Sequence, residues 1–111
     1  MKNEYALIGV YGGTFDPIHY GHLRIAEELV ENLQLDELRF LPAGQPRLRN
    51  QPIASRHQRC IMLNKAIKNN TKFRLDTREM KEAGESYSVE TLKKLNQEAS
   101  KRRVAFCFIV G

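Results

Sequence analysis

The chain has 111 residues, 41% of them hydrophobic and 28% charged, as expected of one soluble globular domain with a single core. Every apolar run is shorter than the ~20 residues a membrane helix needs, and Met1-Lys2-Asn3-Glu4 carries an acid ahead of too short an apolar stretch for a signal peptide, so the expected setting is cytoplasmic with no membrane partner. The net charge of +5 suits a polyanionic ligand, whether nucleotide or nucleic acid.

Tyr5 to Val10 reads as a buried parallel strand, because it is continuously apolar. A glycine-rich turn follows, and then Leu23, Ala26, Leu29, Val30 and Leu33 recur at helical spacing with Glu27, Glu28 and Glu31 opposite, giving a helix from Tyr20 to Leu33. Asp36-Glu37 turns the chain into a short strand, Leu38 to Leu41, that Pro42 stops. The segment from Pro42 to Pro52 holds too many prolines for helix or central strand, and a long loop at that end of a sheet is often functional.

Ser55, with Gln58 as capping-box partner, opens a second helix whose apolar stripe is Cys60, Leu63, Ala66 and Ile67 and which Asn69-Asn70 ends. Phe73 to Asp76 is a third strand. Ser88 caps a third helix with Val89, Leu92, Leu95 and Ala99 inward. Lys101-Arg102-Arg103 reads as a solvated turn before an apolar fourth strand, Val104 to Val110. Cys60 and Cys107 lie far apart inside these elements and read as buried thiols in a reducing compartment.

Strands alternating with helices predict an α/β chain: a Rossmann-like, doubly wound, mostly parallel sheet of about four strands and three helices. The fourth strand reaches Gly111, where a new βα loop should begin, so the expectation is the first part of a larger domain, incomplete at its C-terminus.

The chemistry concentrates in Gly12-Gly13-Thr14-Phe15-Asp16-Pro17-Ile18-His19-Tyr20-Gly21-His22. A strand-to-helix turn at the carboxyl end of a parallel strand is where ligands bind, and free amides at a helix start favour phosphate. His19 and His22 lack a carboxylate or cysteine at ligand spacing, so a metal site is not expected. Gly12, Gly13 and Gly21 allow backbone conformations other residues avoid and a close approach to the main chain, which favours a phosphate cradle.

This segment resembles the nucleotidyltransferase superfamily with the His/Thr-x-Gly-His motif, and Gly13 to His22 is similar in particular to the bacterial nicotinate-nucleotide adenylyltransferases. Ser86-Tyr87-Ser88-Val89-Glu90-Thr91-Leu92 resembles that family's Ser-Tyr-Thr-x-x-Thr-Leu, and Phe108 to Gly111 its strand and first nucleotide-loop glycine. The chain departs from the family at Pro46-Arg47-Leu48-Arg49, where Leu48 stands for a histidine while Arg49 keeps the basic position. The family's later aspartate and its Ser-x-Thr-x-x-Arg segment are not in these 111 residues.

The resemblance implies that residues 1–111 are the N-terminal part of a single nucleotidyltransferase domain. The implied reaction is adenylyl transfer from ATP to nicotinate mononucleotide, giving nicotinate adenine dinucleotide and pyrophosphate, with Mg2+ accompanying ATP. His19 and His22 would be catalytic. Gly12, Gly13, Thr14, Phe15, Gly21 and Gly111 would join them around ATP, and Thr14, Phe15, Arg49, Tyr87 and Ser88 would hold the mononucleotide. Asp16 is expected to cap its loop. Arg47, Arg49, Arg56 and Arg59 have no aromatic platform beside them, so nucleic acid is not expected. The alternatives are a non-catalytic nucleotide-binding fragment, or a related phosphopantetheine adenylyltransferase or cytidylyltransferase.

Overall fold

The computed structural model describes residues 5–15, 18–44, 55–80 and 89–109. In chain order these form β1 (Ala6–Gly13), α1 (Tyr20–Leu33), β2 (Glu37–Pro42), α2 (Arg56–Ile67), β3 (Phe73–Leu75), a 3-10 turn (Arg78–Met80), α3 (Val89–Arg102) and β4 (Val104–Ile109). The strands lie in the order β3-β2-β1-β4, and every neighbouring pair is parallel. The chain builds outward from β1 to β3, then returns to place β4 on the other side of β1. That reversal makes β1 and β4 the switch point of the sheet, and open α/β sheets bind ligands in the crevice beyond the carboxyl ends of the strands at such a point.

Alternation along the strands gives the sheet two different faces. On one, Tyr11, Leu38, Phe40 and Phe73 pack with Ala26 of α1, Leu63 and Ile67 of α2, and Leu35. The Phe40 ring sits at the centre, edge-on to Phe73 at 5.2 Å and 5.7 Å from Tyr11. Gly9 makes room for this packing: a Cβ there would stand 2.7 Å from Leu35 Cδ1. Asp36 ties the turn after α1 to β1, its carboxylate accepting from the Leu7 amide at 2.8 Å while its own amide donates to the Leu7 carbonyl at 2.8 Å.

The other face carries charge. Arg39 of β2 donates to Glu37 and to Glu98 of α3, each at 2.7 Å, and its guanidinium lies 5.3 Å from the Phe106 ring centre. Arg78 joins Asp76 at 2.9 Å to Glu98 at 3.1 Å, and Arg102 reaches Glu98 at 2.7 Å. Glu98 therefore fastens α3 to the sheet. The hydrogen bond from Arg39 is the main reason its carboxyl falls from the usual 4.5 to about 2; burial opposes the shift, and the Arg78 contact and both cationic charges add to it.

Several boundaries differ from the sequence expectation. β1 runs three residues further, because Gly12 and Gly13 pair with Leu41 and Pro42. The β2 ladder takes in Glu37 and Pro42, and β3 ends at Leu75. α2 ends at Ile67, and Arg102 is the last residue of α3 rather than part of a turn, with Arg103 taking φ 52°. Leu33 and Leu92, expected to face inward, are 43% and 39% exposed. The inward face of α3 is instead Thr91, Leu95 and Glu98, since the ion network fixes its rotation. Cys60 and Cys107 are free thiols but only partly buried, and Ala66 is exposed.

Glu98 is ionised at neutral pH in both states, and its folded value lies below its unfolded one. Its stabilisation is therefore complete above pH 4.5 and is lost as the pH falls toward 2. Glu98→Gln should lower the unfolding free energy at pH 7 by about 1–3 kcal/mol, allowing for solvent screening at its open side. Urea titrations at stepped pH should show the difference from wild type shrinking between those limits.

Candidate functional site

The end of β1 delivers the chain to the crevice through Thr14 and Phe15. Phe15 has φ 51°, a left-handed conformation that costs a non-glycine residue about 1–3 kcal/mol. Its side chain is 3% exposed and folds back onto the core, edge-on to Tyr11 at 5.5 Å and Phe40 at 5.6 Å. Gly13 permits this, since even a Cβ there would touch the Phe15 ring at 3.3 Å. The residue that takes the left-handed conformation here is Phe15, while Gly12 and Gly13, read as part of a turn, are strand residues.

His19 is the N-cap of α1. Its Nδ1 accepts from the Gly21 amide at 3.1 Å, and His22 Nδ1 accepts from the His19 amide at 3.1 Å. The rings stack with centres 3.7 Å apart. A ring nitrogen that accepts carries no hydrogen, so each neutral imidazole holds its proton on Nε2. The Gly21 amide is taken up by His19 Nδ1, and the His22 and Leu23 amides by the His19 carbonyl at 3.0 and 3.2 Å. The expected free amides are therefore largely occupied. What the pair can offer an anion is two Nε2–H groups at the positive end of a helix.

Gly21 serves this cap by leaving space. A Cβ there would lie 2.9 Å from His19 Cε1 and 3.0 Å from its Nδ1. His22 packs edge-on against Phe15 at 5.1 Å. Burial, and then the charge of neighbouring His19, lower its pKa from 6.5, so neutral His22 is the favoured form at pH 7.

A third element reaches the same place. Arg59 of α2, 1% exposed, donates to the Thr14 carbonyl at 3.0 Å, the Ala43 carbonyl at 2.7 Å and the Gly44 carbonyl at 2.7 Å. The Ala43 amide in turn donates to the Gly13 carbonyl at 2.8 Å. The chain leaving β1 and the chain leaving β2 are so bound to each other and to α2. The sequence reads the inward stripe of α2 as Cys60, Leu63, Ala66 and Ile67, whereas its buried residues are Arg59, Leu63 and Ile67, spaced four apart. The i, i+3 spacing of His19 and His22 was likewise a capping-box signal.

Of the sequence-assigned site residues, Gly12, Gly13, Thr14, Phe15, His19, Gly21 and His22 come together at the end of β1. Asp16, Arg47, Leu48, Arg49, Tyr87, Ser88 and Gly111 lie outside the described residues. Among the described residues no group of three or more His, Cys, Asp or Glu could hold a metal ion, and no helix is long and apolar enough to cross a membrane.

A cytidylyltransferase-like family model matches residues 10–111. The chain belongs to the cytidylyltransferase-like family. Among curated relatives of this cytidylyltransferase-like chain is a Hydrogenovibrio crunogenus protein named "Probable nicotinate-nucleotide adenylyltransferase", 54% identical over 91 residues, which are 82% of the chain and 44% of that protein. A Methylococcus capsulatus protein of the same name is 49% identical over 106 residues, covering 95% and 50%. The chain spans about half the length of the curated relatives it matches. A solved Plasmodium falciparum nicotinic acid mononucleotide adenylyltransferase complexed with NaAD superposes with a TM-score of 0.69 at 21% identity, over 94% of this chain and 51% of that one. At that identity the likeness speaks to the fold alone, and it agrees with the parallel α/β sheet described above.

Two predictions follow from the cap. Gly21→Ala should displace the His19 ring and weaken the cap of α1, lowering the unfolding free energy by about 0.5–2 kcal/mol in urea titrations. Because the unfolded chain takes up the His22 proton at the ordinary value and the folded chain resists it, stability should fall as the pH drops below 6.5, and His22→Gln should flatten that part of the curve.

Proposed function

We propose that this chain supplies the phosphate-binding wall of an adenylyltransferase that joins ATP to nicotinate mononucleotide, releasing pyrophosphate and forming nicotinate adenine dinucleotide. The reciprocal His19–His22 cap at the carboxyl end of β1 carries the reading, because it leaves two imidazole N–H donors beside the switch point of the sheet. The names of the relatives support the choice of acceptor. The proposal extends to residues 1–111 as the N-terminal part of one nucleotidyltransferase domain, acting in the cytoplasm where its nucleotide substrates are.

In this reaction an oxygen of the mononucleotide phosphate attacks the α-phosphorus of ATP, and the bond to the β-phosphate oxygen breaks in line. The nucleophile is already an anion, so no protein nucleophile is needed, and catalysis consists of positioning and charge neutralisation. His19 and His22 Nε2–H groups would donate to the ATP phosphates, where charge accumulates on the departing oxygens. Mg2+ would enter with ATP, bound to its phosphates. Main-chain groups of Thr14 and Phe15 would line the boundary between the two substrates. We assign Gly12, Gly13 and Gly21 to the ATP side with Gly111, and Arg49, Tyr87 and Ser88 to the mononucleotide.

The test is pyrophosphate release by the full chain given MgATP and nicotinate mononucleotide, with cytidine triphosphate and phosphopantetheine as competing substrates. His22→Ala should lower kcat by about 10²–10³-fold, the usual effect of losing one such donor, with the fold intact. Near-normal turnover in that variant would sink the reading. Calorimetric binding of ATP without pyrophosphate release would point to a non-catalytic nucleotide-binding module.

A further inference from the structure

The buried cation of α2 has no part in the proposed chemistry, yet it is attached to the site at three points. The Arg59 guanidinium donates to Thr14, immediately before the strained Phe15, and to Ala43 and Gly44, where the chain leaves β2. These carbonyls belong to two different strand exits, and the four-residue spacing of Arg59, Leu63 and Ile67 anchors the arginine stem in the core. A guanidinium is planar and always charged, and its donors diverge at fixed angles. It can therefore set the separation of the two exits as well as attract them. Lysine offers the same charge without that fixed geometry.

We infer that Arg59 is a positioning residue for adenylyl transfer: its fork holds the β1 and β2 exits at the spacing that brings ATP and its acceptor into line. The inference rests on the function proposed above. It follows that the charge alone is insufficient at this position, and that the exits behave as one mechanical unit with α2. Because the effect is on alignment rather than on contact with either substrate, it should fall on kcat more than on KM.

The experiment compares the full chain with Arg59→Lys. Expected is a native circular dichroism spectrum, a kcat for pyrophosphate release reduced about 10²-fold, KM values for MgATP and nicotinate mononucleotide changed by less than about threefold, and faster amide hydrogen exchange at Phe15, Ala43 and Gly44. A folded Arg59→Lys with kcat within about threefold of wild type would overturn the inference while leaving the functional reading in place. If Arg59→Lys does not fold, native-state hydrogen exchange on the wild type decides. Opening of Phe15, Ala43 and Gly44 together with α2 supports the bracing, and opening of either exit well ahead of α2 refutes it. A wild type that releases no pyrophosphate would remove the proposed reaction, and the exchange measurement would still judge the bracing.

Discussion

The guanidinium of Arg59 is where the β1 and β2 exits are tied to each other and to α2. Taking a cation out of water is costly by several kcal/mol, and three carbonyl acceptors at 2.7–3.0 Å offset that, each charge-assisted bond contributing about 1.5–3 kcal/mol. The bonds run to backbone rather than to another side chain, so the geometry they impose is that of the chain itself. The left-handed Phe15 next to Thr14 is held in the same way, by an anchored carbonyl on one side and a ring buried among Tyr11, Phe40 and His22 on the other.

From that anchor the two faces of the sheet take different roles. The aromatic face, with Phe40 at its centre, presses α1 and α2 against the strands and so aligns the helix start bearing His19 and His22 with the end of β1. The charged face uses Arg39, Arg78 and Glu98 to hold α3. That network is partly buried and each carboxylate is met by an arginine, a condition under which ion pairs can outweigh their desolvation. The histidine cap then adds chemical definition: by fixing which ring nitrogen accepts, it fixes which one donates.

Most of the architecture was legible in the residues. The four strands, the three helices and the Ser55–Gln58 box follow from periodicity and capping chemistry, and α1 has the predicted bounds. The misreadings share a cause. Gly12 and Gly13 look like a turn because glycine disfavours strands, and only their pairing with Leu41 and Pro42 makes them one. Leu92 looks inward by hydropathy, but the rotation of α3 is set by Glu98 reaching Arg39 from 59 residues away. The stripe of α2 reads as apolar residues only, and its first buried member is Arg59, whose charge is met by carbonyls from other elements.

By itself the sequence determined the class of fold and the strand-to-helix turn that carries the two histidines. These are local properties: periodicity, capping residues and side-chain chemistry within a few positions of each other. Tertiary structure alone decided which imidazole nitrogen donates, which residue bears the strained backbone, and which arginine ties the β1 and β2 exits together. Each of those depends on partners brought together across the sheet, on buried space as small as that beside Gly21, and on carbonyls that no side-chain pattern announces.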